Sequence, residues 1–311
     1  MHLNDKILIT GGTGLVGTAL QEKLIAEGYK NIYALNSKDC DLTNLEKTVT
    51  FFELIKPNYV YHLAAAVYGI MGNMSNKGMV FLRNILINTH VLEASRLAGV
   101  KKVVAMGSAS SYPYPPPELP LSEKIFWMGE PHHSENSYGH AKRSMLAQLN
   151  AYQESYGMEF AFVISTNLYG PNDKYDSEFG HVIPSLIRKF YEAKMKGNKV
   201  NIWGDGSASR DFLYASDASE ALMLIMKRIS GVVNMASGTV SSIKEVVDCL
   251  SEHIDMKNHV VWDPSKPNGQ EYRSFDLSKL VTVGFVPKIS LKEGLSQAYA
   301  WYENNVHLAR R

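Results

Sequence analysis

A short apolar run, Lys6-Ile7-Leu8-Ile9-Thr10, leads directly into Gly11-Gly12-Thr13-Gly14-Leu15-Val16-Gly17, and Leu20, Leu24 and Ile25 then continue at helical spacing. Few folds accept that succession. An uninterrupted apolar run suits a strand buried on both faces, which means a parallel sheet covered by helices on each side. The glycines permit a turn too tight for side chains and leave backbone N–H groups bare at the positive end of the following helix. An isolated glycine-rich turn is ordinary. At the first strand–helix junction of an α/β chain it predicts a dinucleotide site, with Gly11, Thr13, Gly14, Leu15, Val16 and Gly17 around a pyrophosphate.

The second strand, Asn31–Leu35, ends in Asn36-Ser37-Lys38. A carboxylate in this place would bond the adenosine ribose 2′-OH and select NAD. A neutral Asn36 followed by Ser37 and cationic Lys38 suits a 2′-phosphate instead, so the expected cofactor is NADPH (NADP+). Asp41 and Leu42 follow; Asp41 is expected either to receive the adenine amine, or to N-cap the helix beginning near Asn44, or both. The run Tyr59–Ala66 reads as a further strand whose small Ala64, Ala65 and Ala66 leave room for a cofactor ribose, with His62 a core histidine. An apolar period over residues 79–99, stopped by Gly99, is suited to a two-fold helix-pair interface or to core packing, so a homodimer is expected.

Length and composition allow one large core with a smaller lobe. The chain has 311 residues, of which 45% are hydrophobic. The 32 basic and 31 acidic residues leave a net charge of +1, which argues against non-specific binding of nucleic acid or a membrane surface. No stretch reaches the ~18 apolar residues of a membrane span, and Met1–Lys6 lacks a signal-peptide layout. Cys40 and Cys249 stand apart, and His132-His133 has no further ligand at zinc-like spacing. The expectation is therefore a cytoplasmic protein without a structural metal.

The chemistry is expected at Ser137-Tyr138-Gly139-His140-Ala141-Lys142. Residues four apart share a helix face, so Lys142 stands beside the Tyr138 phenol. Its charge is expected to lower the phenol's pKa toward a useful range. Ser108 lies in Gly107-Ser108-Ala109-Ser110-Ser111, at the carboxyl end of the strand Lys102–Met106, where ligands of open α/β sheets bind. Its hydroxyl is placed to bond a substrate carbonyl.

The glycine turn, the serine four residues before Tyr112-Pro113, and Tyr138-x-x-x-Lys142 together resemble the extended short-chain dehydrogenase/reductases. Thr166–Asp173, His181-Val182-Ile183-Pro184, Arg210-Asp211-Phe212-Leu213 and Ser265–Gly269 narrow the resemblance to the GDP-L-fucose synthase family. That resemblance implies an α/β fold, with a Rossmann-type doubly wound parallel sheet and a smaller mixed α/β C-terminal substrate lobe. The expected boundaries are 1–170 for the cofactor domain, with a return segment about 211–237, and 171–311 for the lobe. It implies NADPH, a GDP-linked 4-keto sugar as substrate, and Ser108, Tyr138 and Lys142 as the reductase triad. Asn167 and Leu168 would lie by the nicotinamide. Arg210 and Arg273, with Arg188 and Lys266 as lesser candidates, would take the sugar-nucleotide pyrophosphate. Trp203 and Val182 would pack on base or sugar. The polar stretch 172–180 is the expected mobile loop.

One position departs from the family. Fucose synthases place a cysteine where this chain has Ser110, as half of an epimerase acid/base pair. The other half, a histidine, is present as His181. A serine hydroxyl without its own base removes a proton alpha to a ketone poorly. The expectation is therefore C4 reduction with 3,5-epimerisation weak or lost, the substrate arriving from a separate epimerase. The alternatives are a bifunctional 3,5-epimerase/4-reductase and a non-catalytic NADP(H)-binding sensor.

Overall fold

The computed structural model describes residues 1–67, 70–176, 180–266 and 271–310, with backbone alone at 70–72. The 172–180 loop and the Ser265–Gly269 motif thus lie partly outside the described residues, as does Arg311. Helix α1 (Leu15–Ala26) joins β1 (Lys6–Thr10) to β2 (Asn31–Leu35); α2 (Leu45–Ile55) leads to β3 (Tyr59–His62). Helices α3 (Ile70–Ser75) and α4 (Lys77–Leu97) precede β4 (Lys102–Met106), and α5 (Asn136–Tyr156) precedes β5 (Glu159–Ser165). Then come β6 (Asn167–Tyr169), α6 (Val182–Lys196), β7 (Val200–Trp203), β8 (Ser209–Tyr214), α7 (Ala215–Arg228) and β9 (Gly231–Met235). The chain ends with β10 (Val240–Ser242), α8 (Ile243–His253), β11 (Val260–Asp263), α9 (Ser278–Thr282) and α10 (Leu291–Asn305).

A parallel sheet in the order β2-β1-β3-β4-β5-β9 forms the centre. The apolar run of β1 is accounted for by burial on both sides. Leu8 packs with Phe52, Leu92 and Leu146 under α2, α4 and α5, while Ile7 and Ile9 pack with Leu20 and Leu222 under α1 and α7. Strand order reverses between β1 and β3, which opens a crevice at their carboxyl ends. A second lobe is built from two small sheets, β10-β8-β6 and β11-β7. With α6, α8 and α10 they enclose a third core around Tyr169, Phe190, Phe212, Leu250 and Tyr299.

The sequence expectations need three local corrections. Strand β3 stops at His62 rather than running to Ala66. Residues 63–66 leave the sheet, and Asn84 holds them by accepting the Ala66 N–H (3.0 Å) and donating to the Ala66 carbonyl (2.9 Å). Asp41 does not cap α2. Asn44 does so, accepting the Lys47 N–H at 2.9 Å, while Asp41 closes a turn on the N–H and hydroxyl of Thr43. The short helix α3 has no counterpart in the sequence reading. His62 is the core histidine expected, bonded to the Thr10 hydroxyl (2.8 Å) and the Asn88 side chain (3.0 Å). Burial lowers its pKa to about 3, so it stays neutral. Among the described residues no helix is long and apolar enough to cross a membrane.

Candidate active site

The cradle comes first in the chain. Gly11 has φ +70°, and a Cβ there would lie 2.9 Å from the Ala64 N. A Cβ on Gly17 would come within 2.3 Å of the Gly11 carbonyl oxygen. Neither position tolerates a side chain: at Gly11 the turn is pressed against the segment that follows β3, and at Gly17 α1 is pressed against its own turn. Gly14 caps α1 without any side-chain hydrogen bond, so the first-turn N–H groups at Leu15, Val16 and Gly17 remain open to an anion. Thr13 is exposed at the mouth of the turn. Past β2, the Asn36 side chain accepts the Lys38 N–H (2.8 Å) and Asp39 accepts the Asn36 N–H (2.9 Å), which leaves Ser37 and Lys38 exposed. Leu42 is buried, with Asp41 exposed beside it, and Ala64, Ala65 and Ala66 line the floor half-buried. The residues present therefore fit a dinucleotide whose adenosine end carries a further phosphate.

Beyond the cradle, β4 ends at Met106 and the chain makes a tight turn at Ala109–Ser111. Ser108 caps that turn: its hydroxyl accepts the Ser110 N–H (3.2 Å) and pairs with the Ser110 hydroxyl (2.9 Å). Helix α5 is clamped to this segment at successive points. Lys142 donates to the Met106 carbonyl at 2.8 Å and Arg143 to the Ser111 carbonyl at 2.8 Å. Gly139 lies so close that a Cβ would meet the Ser110 carbonyl oxygen at 2.7 Å. These contacts fix the first turn of α5, and with it Tyr138, against the strand end that carries Ser108. The Lys142 ammonium sits 5.6 Å from the centre of the Tyr138 ring.

Electrostatics at this pair run opposite to expectation. Lys142 was expected to acidify the phenol, whereas burial pushes the Tyr138 pKa upward and the Glu135 charge adds to the shift. Burial also lowers the Lys142 pKa to about 7. Desolvation outweighs the mutual attraction because the lysine is only 1% exposed and directs its nitrogen to a neutral carbonyl. In the free protein, then, Tyr138 is a fully protonated phenol and Lys142 a cation that titrates near neutrality.

The second lobe supplies the opposite wall. Ser209 bridges Tyr272, which brings their neighbours Arg210 and Arg273 side by side. Burial, with the charge of Arg273, lowers the Arg210 pKa to about 10, and burial lowers Arg273 as well. The Glu135 charge acts on both, and two arginines beside one carboxylate keep a net positive charge that favours an anion. Trp203 is 53% exposed, with the Lys189 nitrogen 5.4 Å and the Lys266 nitrogen 6.0 Å from its ring centre. Arg188, expected among the anion ligands, is engaged elsewhere: it pairs with Glu192 at 2.7 Å and donates to the Tyr175 carbonyl at 3.1 Å. The cation of this turn that reaches the Trp203 face is Lys189, one residue and about 100° around the helix. Val182 opens α6, half-buried, after an exposed His181 at its N-cap. Asn167 donates to the Asp211 carbonyl (3.3 Å) beside a half-buried Leu168.

A family model described as the NAD dependent epimerase/dehydratase family matches residues 7–236. The chain belongs to that family. Within it, the chain is 37% identical to GDP-L-fucose synthase 1 of Arabidopsis thaliana over 305 residues, covering 97% of this chain and 94% of the relative. A GDP-L-fucose synthetase from Naegleria fowleri bound to NADP superposes with a TM-score of 0.93 at 31% identity, covering 100% of this chain and 96% of the other. A GDP-mannoheptose C4 reductase from Campylobacter jejuni with NADP bound does so at 0.87 and 30%, covering 97% and 99%.

For a family member, three residues of this cleft escaped the sequence reading. Gly139 and Arg143 hold α5 to the Ser108 turn, and Lys189 faces Trp203. Gly139 sits inside the very motif that carried the reading, and glycine in the first turn of a helix signals a close approach. Lys189 is seven residues after Val182, on the same face. Arg143 offered no signal, since its acceptor is a backbone carbonyl on a distant segment.

Proposed function

We propose that this chain is an NADPH-dependent C4 reductase of a GDP-linked 4-keto sugar, a 6-deoxyhexose or a heptose, with 3,5-epimerisation weak or lost. The observation that carries the proposal is a Tyr138 phenol whose environment keeps it protonated, clamped beside Ser108 and Lys142. Bound NADPH would supply hydride to the ketone carbon. Ser108 would leave its bond to Ser110 to donate to the ketone oxygen, and Tyr138 would deliver its proton to that oxygen as it becomes an alkoxide. A phenol with a raised pKa holds its proton at neutral pH until the developing alkoxide, a stronger base, takes it. Lys142, partly neutral when the cleft is empty, would regain full charge as anionic groups enter and would hold the nicotinamide ribose. Arg210 and Arg273 would clamp the diphosphate by charge-assisted bonds, with Lys189, Lys266 and Trp203 at the guanosine end.

The loss of epimerisation rests on Ser110. Its hydroxyl bonds Ser108 at 2.9 Å, so its nearest partner is another hydroxyl, which does not activate it as a base. The sugar would then be epimerised beforehand by a separate enzyme. Exposed Met79, Phe81 and Leu82 on α4 support a homodimer through that helix.

The test compares GDP-4-keto-6-deoxymannose with the same sugar previously epimerised at C3 and C5, following NADPH absorbance and identifying products by NMR. The proposal requires consumption of NADPH and a C4 alcohol from at least one of the two, with no inversion at C3 or C5 in either product. No consumption with either, or efficient conversion of the first into a fully epimerised product, refutes it.

A further inference from the structure

We infer that Asp173 is the positioning residue for the imidazole of His181, the two forming a carboxylate–imidazole pair on the sugar side of the cleft. The inference rests on the reading of this cleft as a nucleotide-sugar site. Asp173 follows β6 and is only 5% exposed. One of its oxygens accepts the Lys174 N–H at 2.7 Å. The other, Oδ2, is buried with no hydrogen-bond partner among the described residues. A half-satisfied buried carboxyl is costly and calls for a donor that arrives.

The backbone brings His181 back toward Asp173. Gly180 returns onto the segment it left: its N–H donates to the Asp176 carbonyl (3.2 Å), and a Cβ on it would lie 3.1 Å from the Lys174 carbonyl oxygen. His181 is the next residue; its carbonyl accepts the Ser185 N–H (3.0 Å), while its exposed imidazole makes no hydrogen bond among the described residues. The other charged groups nearby, among the described residues, are engaged. Arg310 of the C-terminal tail donates to the Asn172 carbonyl, Lys174 pairs with Asp176 at 3.5 Å, and Arg188 of α6 pairs with Glu192. Tyr302 of α10 stacks on Tyr175. Burial raises the Asp173 pKa, and the His181 charge is the largest electrostatic influence opposing that rise. A carboxylate that accepted one ring N–H would fix the imidazole's rotamer, turn its other ring nitrogen to the cleft and favour the protonated ring.

The pair is tested on the whole chain by NMR titration of isotope-labelled histidines, without ligand and with GDP, using His181→Asn to assign the signal. Asp173→Asn is expected to lower the His181 pKa by about one unit, a tenfold loss of proton affinity, while the other imidazoles hold theirs. An unchanged His181 pKa overturns the inference. In steady-state assays Asp173→Asn should raise KM for the nucleotide sugar about tenfold with kcat nearly constant, and should add nothing in a His181→Asn background. Additive losses also overturn it. Asp173→Ser is the second variant should the amide impair folding. A chain that reduces no 4-keto sugar would sink the reductase reading, and the titration would still decide the pair.

Discussion

On the sheet side of the cleft, Tyr138 is held by a helix tied to the Ser108 turn through Lys142, Arg143 and the bare Cα of Gly139. On the α6 side, His181 stands exposed at a helix N-cap, and the nearby Asp173 has a buried oxygen without a hydrogen-bond partner among the described residues. The first wall is tied together by hydrogen bonds between α5 and the Ser108 turn, whereas on the second these two side chains share no hydrogen bond. Reduction needs a proton donor aimed at one oxygen, and pre-organisation serves that directly. Proton exchange at carbons flanking the ketone needs a base as well, and here the position for it holds Ser110. On the proposed reading, the rigid wall would sustain reduction and the open one would set which sugar is accepted.

The most severe way to break this contrast is Tyr138→Phe. Reduction should fall about 10³-fold or more, with NADPH affinity measured by fluorescence titration unchanged within about twofold. Retention of a tenth of the activity would remove Tyr138 from its role. Next comes Gly139→Ala, which puts a methyl 2.7 Å from the Ser110 carbonyl oxygen. Displacement of the α5 turn should cost about 10²-fold in kcat, whereas Val182→Ala on the open wall should cost less than about tenfold in the same assay. Equal losses at both would erase the difference between the walls.

How far the sequence anticipated these walls depends on what each signal reports. The strands β1 and β2 were legible residue by residue: β1 because a strand buried on both faces reads as an apolar run, and β2, a half-buried edge strand, because it follows the first helix and ends in the polar Asn36-Ser37-Lys38. The motif Tyr138-x-x-x-Lys142 was legible too, since helix geometry alone puts the two side chains together. Their protonation was not: the direction of the Tyr138 shift depends on burial by segments distant in sequence, and desolvation outweighed the neighbouring charge. Arg188 and Lys189 show the same limit on a smaller scale. Composition cannot tell which of two adjacent cations faces the cleft until the phase of α6 is set by its packing. Asp41 was the cap expected, but its side chain is taken by the turn at Thr43 and Asn44 caps the helix instead.

Two milder substitutions sharpen the comparison. Ser110→Cys replaces the hydroxyl with a thiol, a group that titrates near 8.5, and deuterium incorporation at C3 or C5 should rise about tenfold above the parent. No rise would show that the open wall lacks more than a base. Lys142→Met tests the cost of the rigid wall. The folded lysine has a pKa of about 7 against the ordinary 10.5, so the unfolded chain holds the extra proton between those values. Stability of the parent therefore rises with pH across that window. Lys142→Met should melt higher than the parent at pH 6, with the gap narrowing toward pH 10, as read by calorimetry. A gap that widens would reverse the assigned shift.

The most direct measurement is a reaction in heavy water with NADPH and a GDP-4-keto sugar already epimerised at C3 and C5, following NADPH absorbance and carbon-bound deuterium by NMR. The account predicts one C4 alcohol formed per NADPH consumed, with protium retained at C3 and C5. Unconsumed NADPH, or deuterium at either carbon at a rate matching reduction, would contradict it.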